Sequence, residues 1–436
     1  MTHDPSGDPD CCAEFATAAR LSRRRLMQGL AAGAGASALG VSTSLFGEAV
    51  RQTSFAATTG GNVLVVLSLR GGIDGMGVVV PHGDPAYYTQ RPGIGIPASS
   101  LIAADPMFGL HPELKPLEWA WTSGELAAVH AVGLPAPNRS HFSAMEEIED
   151  ADPGSAARTG WVNRMIGLDA GNDPAEAIHL SGSIVPTLMS GPAPVLAADD
   201  VAQLSLVGAQ KDDGTEWADR RRTQLDIVWA GGTTSPLHAG YRSAARTVDR
   251  LAAVAGTTYK PAVPYPTAWP ATDLSNALKD TAQLIKADLG TDVVSIDFGS
   301  WDMHNDYGKL GRGRMQSMLG GLAACLDAFL RDLGGLRSRV TVLTISEFGR
   351  RIHENGNSGL DHGWGNMMLL AGAGVRGGKY YATWPGLGTG TDDDLAVTTD
   401  YRQVLGEVLG SRFPARSLPA VFPGFTVDST GLGLMS

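Results

Sequence analysis

A chain of 436 residues with 43% apolar content has the material for one large core or two modest ones. Its net charge of -11, with no concentrated basic patch, excludes nucleic acid as the main partner. The 56 glycines follow no repeat, so they predict many tight loops and not a fibrous or low-complexity chain.

At the N-terminus, LSRRRLMQGL sets Ser22, Arg23, Arg24 and Arg25 before the weakly apolar run AAGAGASALGVSTSLFG. This pattern predicts a twin-arginine export signal, with Ser54-Phe55-Ala56 offering small residues where a signal peptidase reads. Glycine and serine interrupt the run, which suits a cleaved signal better than a stable membrane span. The expected organisation is a signal with its preceding acidic segment over 1–57, then a single domain over 58–436. The expected partner is the twin-arginine export machinery, and the expected location is secreted or cell-surface, outside the cytoplasm. Cleavage would remove Cys11 and Cys12 and leave Cys325 alone, so no internal disulfide is expected.

Short apolar runs then alternate with glycine-rich loops. NVLVVLSL (62–69) leads into RGGIDGMG, LAAVHAVG (126–133) into LPAPNRSHF, DVVSIDFG (292–299) into SWDMHNDYG, and VTVLTISE (340–347) into FGRRIHENG, with NMMLLAG (366–372) following. Continuous apolar runs bounded by glycine predict strands buried on both faces of a mostly parallel sheet. Helical spacing falls between them, in LSNALKDTAQLIKADLG (274–290) and in RMQSMLGGLAACLDAFLRDLGG from 314 onward. DYRQVLGEVLGSRF predicts a closing helix, and the Pro-, Gly- and Thr-rich region 186–270 predicts an inserted cap. The fold class is therefore a doubly wound α/β sheet, in which ligands sit beyond the carboxyl ends of the strands.

Those ends carry the chemistry. Asp74 lies in GGIDG after the first run. Arg139, Ser140 and His141 precede SAMEEIEDA, where Ser143 and Glu146 have capping-box spacing. A hydroxyl near a helix N-terminus is placed to attack an anionic ester, and His141 to move a proton. Asp302 and His304 are two apart, which on an extended backbone turns both to one side. Glu347 ends another run, and Asp361 and His362 follow on its loop. A mixed Asp, Glu and His set without cysteine suits a divalent metal such as Zn, Mn, Ca or Mg. Arg139, Arg350 or Arg351 would offset charge developing on an ester. His353 and Glu354 are read as loop surface, and His111 and His130 as structural.

The segments LRGGIDGMGVVVPHGDPAYYTQRP, FGLHPELKPL, NRSHFSAMEEIE, TGWVNR, FGSWDMHNDYG, SEFGRRIHENGNSGLDHGWGN and VRGGKYYATWPGL, in this order, resemble domain-of-unknown-function family 1501. That family is placed among secreted bacterial proteins of the alkaline-phosphatase-like superfamily. The resemblance implies an alkaline-phosphatase-like or sulfatase-like fold with metals at the sheet edge, acting on phosphate or sulfate esters. By motif order it implies Asp74 as first-strand ligand, Ser140 as nucleophile, and Asp302, His304 and His362 as one metal site. Glu347 would stand where the superfamily has an Asp-His pair, with Asp361 filling in. The chain departs from the superfamily pattern in three places: the spacing of Asp302 and His304, the sequence SEFG, and the sequence SHF. The alternative is a non-catalytic protein on this fold that binds a glycan or protein partner, with a structural metal or none.

Overall fold

The run VLVVLSL forms β1 (Val63–Leu69), and all seven residues are buried. Val63, Val65, Leu67 and Leu69 enter one core, while Leu64 and Val66 enter a second core across the sheet. Alternate side chains thus meet apolar layers on opposite faces, which is why the run is continuous and not alternating. The computed structural model describes residues 60–167, 173–204, 215–229 and 236–436. The expected export signal, its cleavage motif, Cys11 and Cys12 lie outside these residues. Among the described residues no helix is long and apolar enough to cross a membrane.

The remaining strands of the main sheet are β2 (Leu126–Gly133), β3 (Ala177–Leu180), β4 (Leu196–Ala198), β5 (Val293–Phe298), β6 (Val340–Ile345), β7 (Asn366–Gly372), β8 (Tyr380–Tyr381) and β9 (Thr399–Asp400). Their order is β8-β2-β7-β6-β1-β5-β3-β4, with β9 also paired to β2. The sheet is mostly parallel; the exception is β7, antiparallel to both β2 and β6. This reversal positions the site. Because the chain turns straight back after β6, residues 346–365 stay at the carboxyl edge and need no crossover to the far side.

Helices cover both faces. They are α1 (His141–Asp150), α2 (Trp161–Ile166), α3 (Thr215–Trp229), α4 (Pro236–Ala255), α5 (Thr272–Ala287), α6 (Arg314–Asp332) and α7 (Tyr401–Arg412). Leu278 and Ile285 of α5 and Leu319, Leu322 and Leu326 of α6 pack with Val65 and Leu67. Trp161 of α2 and Val404 and Val408 of α7 pack with Leu64 and Val66. Each fully buried leucine contributes roughly 1.5–3 kcal/mol. Within 186–270, the segment expected as a cap, Leu196–Ala198 is the edge strand β4. Helix α4 is tied back by Thr247, whose hydroxyl donates to Asp173 Oδ1 at 2.8 Å.

Candidate metal centre

Four loops meet at the carboxyl edge of β1, β2, β5 and β6. After β1 the chain passes so close to the Trp301-Asp302 backbone that a Cβ on Gly71 would lie 2.7 Å from the Asp302 nitrogen; its φ of +107° also suits only glycine. Ser300, just before, holds a left-handed φ of +78° without being glycine, a conformation that costs of order 1–3 kcal/mol and turns the chain toward Asp302. The loop after β6 is stitched to the same segment: Leu360 N donates to Met303 O at 3.0 Å, and Asn355 Nδ2 to His304 O at 2.9 Å.

These loops bring His141, Asp302, His304 and His362 together. His362 Nε2 lies 3.0 Å from His141 Nε2 and 2.9 Å from His304 Nε2. Asp302 Oδ1 is 3.1 Å from His304 Nε2 and 3.4 Å from His362 Nε2, and its Oδ2 is 3.5 Å from His141 Nε2. The other nitrogen of each ring fixes the tautomer. His141 Nδ1 faces Glu347 Oε1 at 2.9 Å, His304 Nδ1 faces Asp361 Oδ1 at 2.9 Å, and His362 Nδ1 faces the Arg139 carbonyl at 2.9 Å. Carboxylates and a carbonyl only accept, so each Nδ1 carries a proton, and in its neutral form each ring points an Nε2 lone pair inward, where either a proton or a cation can bind. Three lone pairs and a carboxylate about 3 Å apart repel unless a positive charge lies among them. The donor set therefore fits a cation, and the acceptors behind the rings are the outer partners that orient metal-bound histidines. His141, Asp302 and His362 alone form a group that could hold a metal ion.

The titration behaviour agrees. Burial works to raise the Asp302 carboxyl, yet hydrogen bonds from the three histidines and the charge of Arg350 hold it well below the usual carboxylate range. Burial likewise works against a charged His141, but the carboxylates of Asp302 and Glu347 outweigh it and lift the ring to about 9. Hydrogen bonding to Asp302 raises His304 despite burial, whereas burial with the nearby Arg350 and His141 charges lowers His362. The cluster draws in positive charge and resists placing a proton on every ring.

Several sequence-based expectations change. Asp74 does not join the cluster: it is 3% exposed and engaged by Arg91 Nη1 at 2.6 Å, Arg91 Nη2 at 2.9 Å and the Tyr307 hydroxyl at 2.6 Å. Glu347 and Asp361 stand behind His141 and His304 instead of pointing inward, and Glu347 also accepts the Gly71 N–H at 2.8 Å. His141, expected as an acid or base, lies among the inward-facing donors. Ser140 is the N-cap residue of α1 without a side-chain cap bond, so the expected Ser143 capping box is absent; Ser143 Oγ accepts from Asn138 Nδ2 at 3.0 Å. Ser140 opens on a cleft with Asn138, Arg139 and Glu147, apart from the cleft lined by His141 and Asp302. Arg139 pairs with Asp394, and Arg351 with Asp392 at 2.7 Å.

Arg350 is 1% exposed and donates to Gly72 O at 2.6 Å, Leu360 O at 3.1 Å and Asp302 Oδ1 at 2.8 Å, so it braces the loops and presents no guanidinium to a ligand. Glu354 is bound into the fold, accepting from Gly93 N and Ile94 N at 2.9 Å, and His353 Nδ1 meets Gln90 Oε1 at 2.9 Å. Burial holds both His111 and His130 down to about 4, as neutral core histidines.

A cleft of about 420 Å³ opens beside the cluster, lined by His141, Asp302, Glu347, Arg70, Glu149 and Thr187 among others. Glu149 is the group that reading the sequence missed. Burial raises its carboxyl to about 7 although Arg70 lies 2.6 Å away, because Arg70 is shared with Asp297 at 2.7 Å. The signal was spacing: His141, Met145 and Glu149 are four apart on α1 and share one face.

A family profile described as "Protein of unknown function (DUF1501)" matches residues 103–411. No curated protein sequence matches the chain. Among solved structures, a protein in the alkaline phosphatase superfamily from Vibrio parahaemolyticus is 11% identical, with a TM-score of 0.33, over 77% of this chain and 69% of that one. The C-terminal periplasmic domain of EcEptC from Escherichia coli, in complex with Zn, is 9% identical with a TM-score of 0.31, over 73% of this chain and 75% of that one. The PsFucS1 sulfatase from Pseudoalteromonas sp. is 13% identical with a TM-score of 0.33, over 90% of this chain and 74% of that one. At these TM-scores the likeness carries no argument, and the functional reading rests on the chain's own residues.

Proposed function

The chain belongs to the DUF1501 family, and on that premise we propose that it is an exported metal-dependent hydrolase of phosphate or sulfate esters. The observation that carries the reading is the grouping of His141, Asp302 and His362, with His304 Nε2 2.9 Å from His362 Nε2, beside an open cleft. Three imidazoles favour zinc over manganese, calcium or magnesium, which suit oxygen donors. A bound cation would supply Lewis acidity to an ester oxygen and lower the pKa of water beside it.

The chain's own residues do the rest. Glu347, Asp361 and the Arg139 carbonyl hold the rings in one tautomer and orientation. Glu149 holds or releases a proton in the cleft, its carboxyl raised by burial into the range where general acid–base catalysis works at neutral pH. Ser140 opens on the neighbouring cleft, which favours water as the nucleophile. A second reading, a binding protein with a structural metal, is supported by Asp74 and Glu347 being committed to protein partners, which leaves a second cation without its carboxylates.

The test is elemental analysis of the purified exported protein, followed by turnover of p-nitrophenyl phosphate and p-nitrophenyl sulfate, for the wild type and His362→Ala. We expect one zinc per chain and turnover of one ester, both lost in the variant. A protein that takes up no cation, or a variant with full turnover, would overturn the hydrolase. Metal without turnover would select the binding protein.

A further inference from the structure

A second cleft, of about 740 Å³, lies between Trp269 and the loop that runs from Asp306 to Arg314. This loop continues directly from Asp302 and His304. Ser358, whose carbonyl accepts from Tyr307 N at 3.3 Å, also lines it, next to Gly359, where a Cβ would meet the His304 backbone at 2.2 Å. The cleft is therefore built on the same two loops as the candidate metal centre.

Its lining is unusual for a chain of net charge -11. Lys309, Arg312 and Arg314 all face it, and among the described residues none is paired with a carboxylate. Two carboxylates, Asp306 and Glu354, also line the cleft, and that of Glu354 is already taken by the Gly93 and Ile94 N–H groups. Arg314 opens the 19-residue helix α6, where a cationic side chain is unfavourable to the helix alone. The first N–H groups of this helix are already used: Arg314 N donates to Asp306 O at 3.4 Å and Met315 N to Tyr307 O at 3.0 Å.

Two further observations point to a ligand. Gln316 is 4% exposed, and neither its Nε2 nor its Oε1 has a partner among the described residues. Its amide oxygen lies 2.8 Å from where a Cβ on Gly308 would be and 2.7 Å from one on Gly313, both of which line the cleft. A buried, unpaired carboxamide is costly unless something it can bond arrives. Across from it, Trp269 is 71% exposed, leaving a large flat apolar face open to water.

Guanidinium groups unpaired among the described residues and an exposed indole face are the parts that recognise an anionic sugar: charge-assisted hydrogen bonds for its acid group and a flat surface for its ring. We propose that this cleft binds a sulfated sugar residue of a glycan chain, gripped by Lys309, Arg312 and Arg314 and stacked on Trp269. The inference rests on the hydrolase reading and names its substrate class, a sulfated glycan presented across the two loops.

The experiment is calorimetric titration of the exported protein with a heparin-derived tetrasaccharide, its fully desulfated form and inorganic sulfate, at 0.15 M salt. Wild type is compared with Arg312→Gln/Arg314→Gln, Trp269→Ala and the milder Lys309→Gln, each checked for an unchanged melting temperature and metal content. Loss of two charge-assisted contacts predicts binding weaker by at least about tenfold. Loss of the stacking face predicts a decrease of roughly two- to tenfold. The desulfated chain and inorganic sulfate should bind at least about tenfold more weakly than the tetrasaccharide.

The proposal is overturned if the wild type does not bind the tetrasaccharide, if the arginine variant binds it equally well, or if inorganic sulfate binds as tightly. Metal content and p-nitrophenyl ester turnover are read on the same samples. Lost glycan binding with intact turnover would sink this cleft alone, and intact glycan binding without turnover would sink the hydrolase alone.

Discussion

Asp74 and Asp302 both follow a strand at the carboxyl edge of one sheet, and their fates differ. Asp74 is buried and bonded by two Arg91 nitrogens and the Tyr307 hydroxyl, so its charge and its lone pairs are satisfied within the protein. Asp302, with a side chain 37% exposed, receives Arg350 on one side and faces the Nε2 atoms of three imidazoles on the other. The first arrangement is closed. The second is electrostatically incomplete without a cation. Position at a strand end is therefore not enough to make a ligand; what decides is whether the chain's own donors take both carboxylate oxygens, as Arg91 and Tyr307 do for Asp74, whereas Arg350 reaches only Oδ1 of Asp302. Arg91 does more than neutralise Asp74, since it also donates to the Ile352 and Arg351 carbonyls at 3.0 Å and pins the loop that carries His362.

The comparison breaks most sharply on Asp302→Ala. That variant should retain no stoichiometric metal by elemental analysis while staying folded, because the half-exposed carboxylate supports no core packing. Metal retained at wild-type occupancy would mean that Asp302 is no ligand. The opposite behaviour is expected of Arg91→Met. Leaving Asp74 charged, buried and unpaired should cost about 3–5 kcal/mol in urea unfolding, while folded protein still binds metal. Loss of metal without loss of stability would return Asp74 to the ligand set. A smaller effect is expected behind the rings: Glu347→Gln should weaken metal affinity by about 10–100-fold in a chelator competition. Asp361→Asn should fall at the low end of that range, since its carboxylate is 53% exposed and His304 can find water instead.

These contrasts also mark how far the residues alone could lead. VLVVLSL, DVVSIDFG and VTVLTI read as strands buried on both faces, because burial on two sides leaves no alternating polar face. The spacing of α5 and α6 was equally open, since one helical face must match one core. The reversal of β7 was not legible, as a run such as NMMLLAG is apolar whichever way it points. Within the site, residue types showed which side chains bear chemistry, but not which of two carboxylates an arginine reaches. Arg91, seventeen residues from Asp74, had no marked role, and that contact alone removes Asp74 from the cluster. Glu347 and Asp361 face the Nδ1 atoms of His141 and His304, a position the residue types do not reveal, because a ligand and the acceptor behind a histidine use the same side chain.

Glu149 tests the middle of the comparison. It is buried like Asp74 and has an arginine beside it, but Arg70 is 30% exposed and shared with Asp297, so it neutralises less. Burial therefore wins, and the carboxyl rises from its usual 4.5 to about 7. Between those values the folded protein holds a proton that the unfolded chain has released, so stability must fall as pH rises through this window and level off above it. A difference of one proton sets the limiting slope at about 1.4 kcal/mol per pH unit. Other groups titrate over the same range, among them the histidines of the cluster, so the quantity to measure is the difference between wild type and Glu149→Gln. Urea unfolding of both, with metal removed by chelator, at intervals from pH 4.5 to 8 should show the variant gaining on the wild type up to about pH 7 and then running parallel. A difference that does not change with pH would mean that Arg70 keeps Glu149 ionised throughout. Glu149 would then belong with Asp74 as a closed ion pair, and the cleft would lose the one carboxyl able to pass a proton at neutral pH.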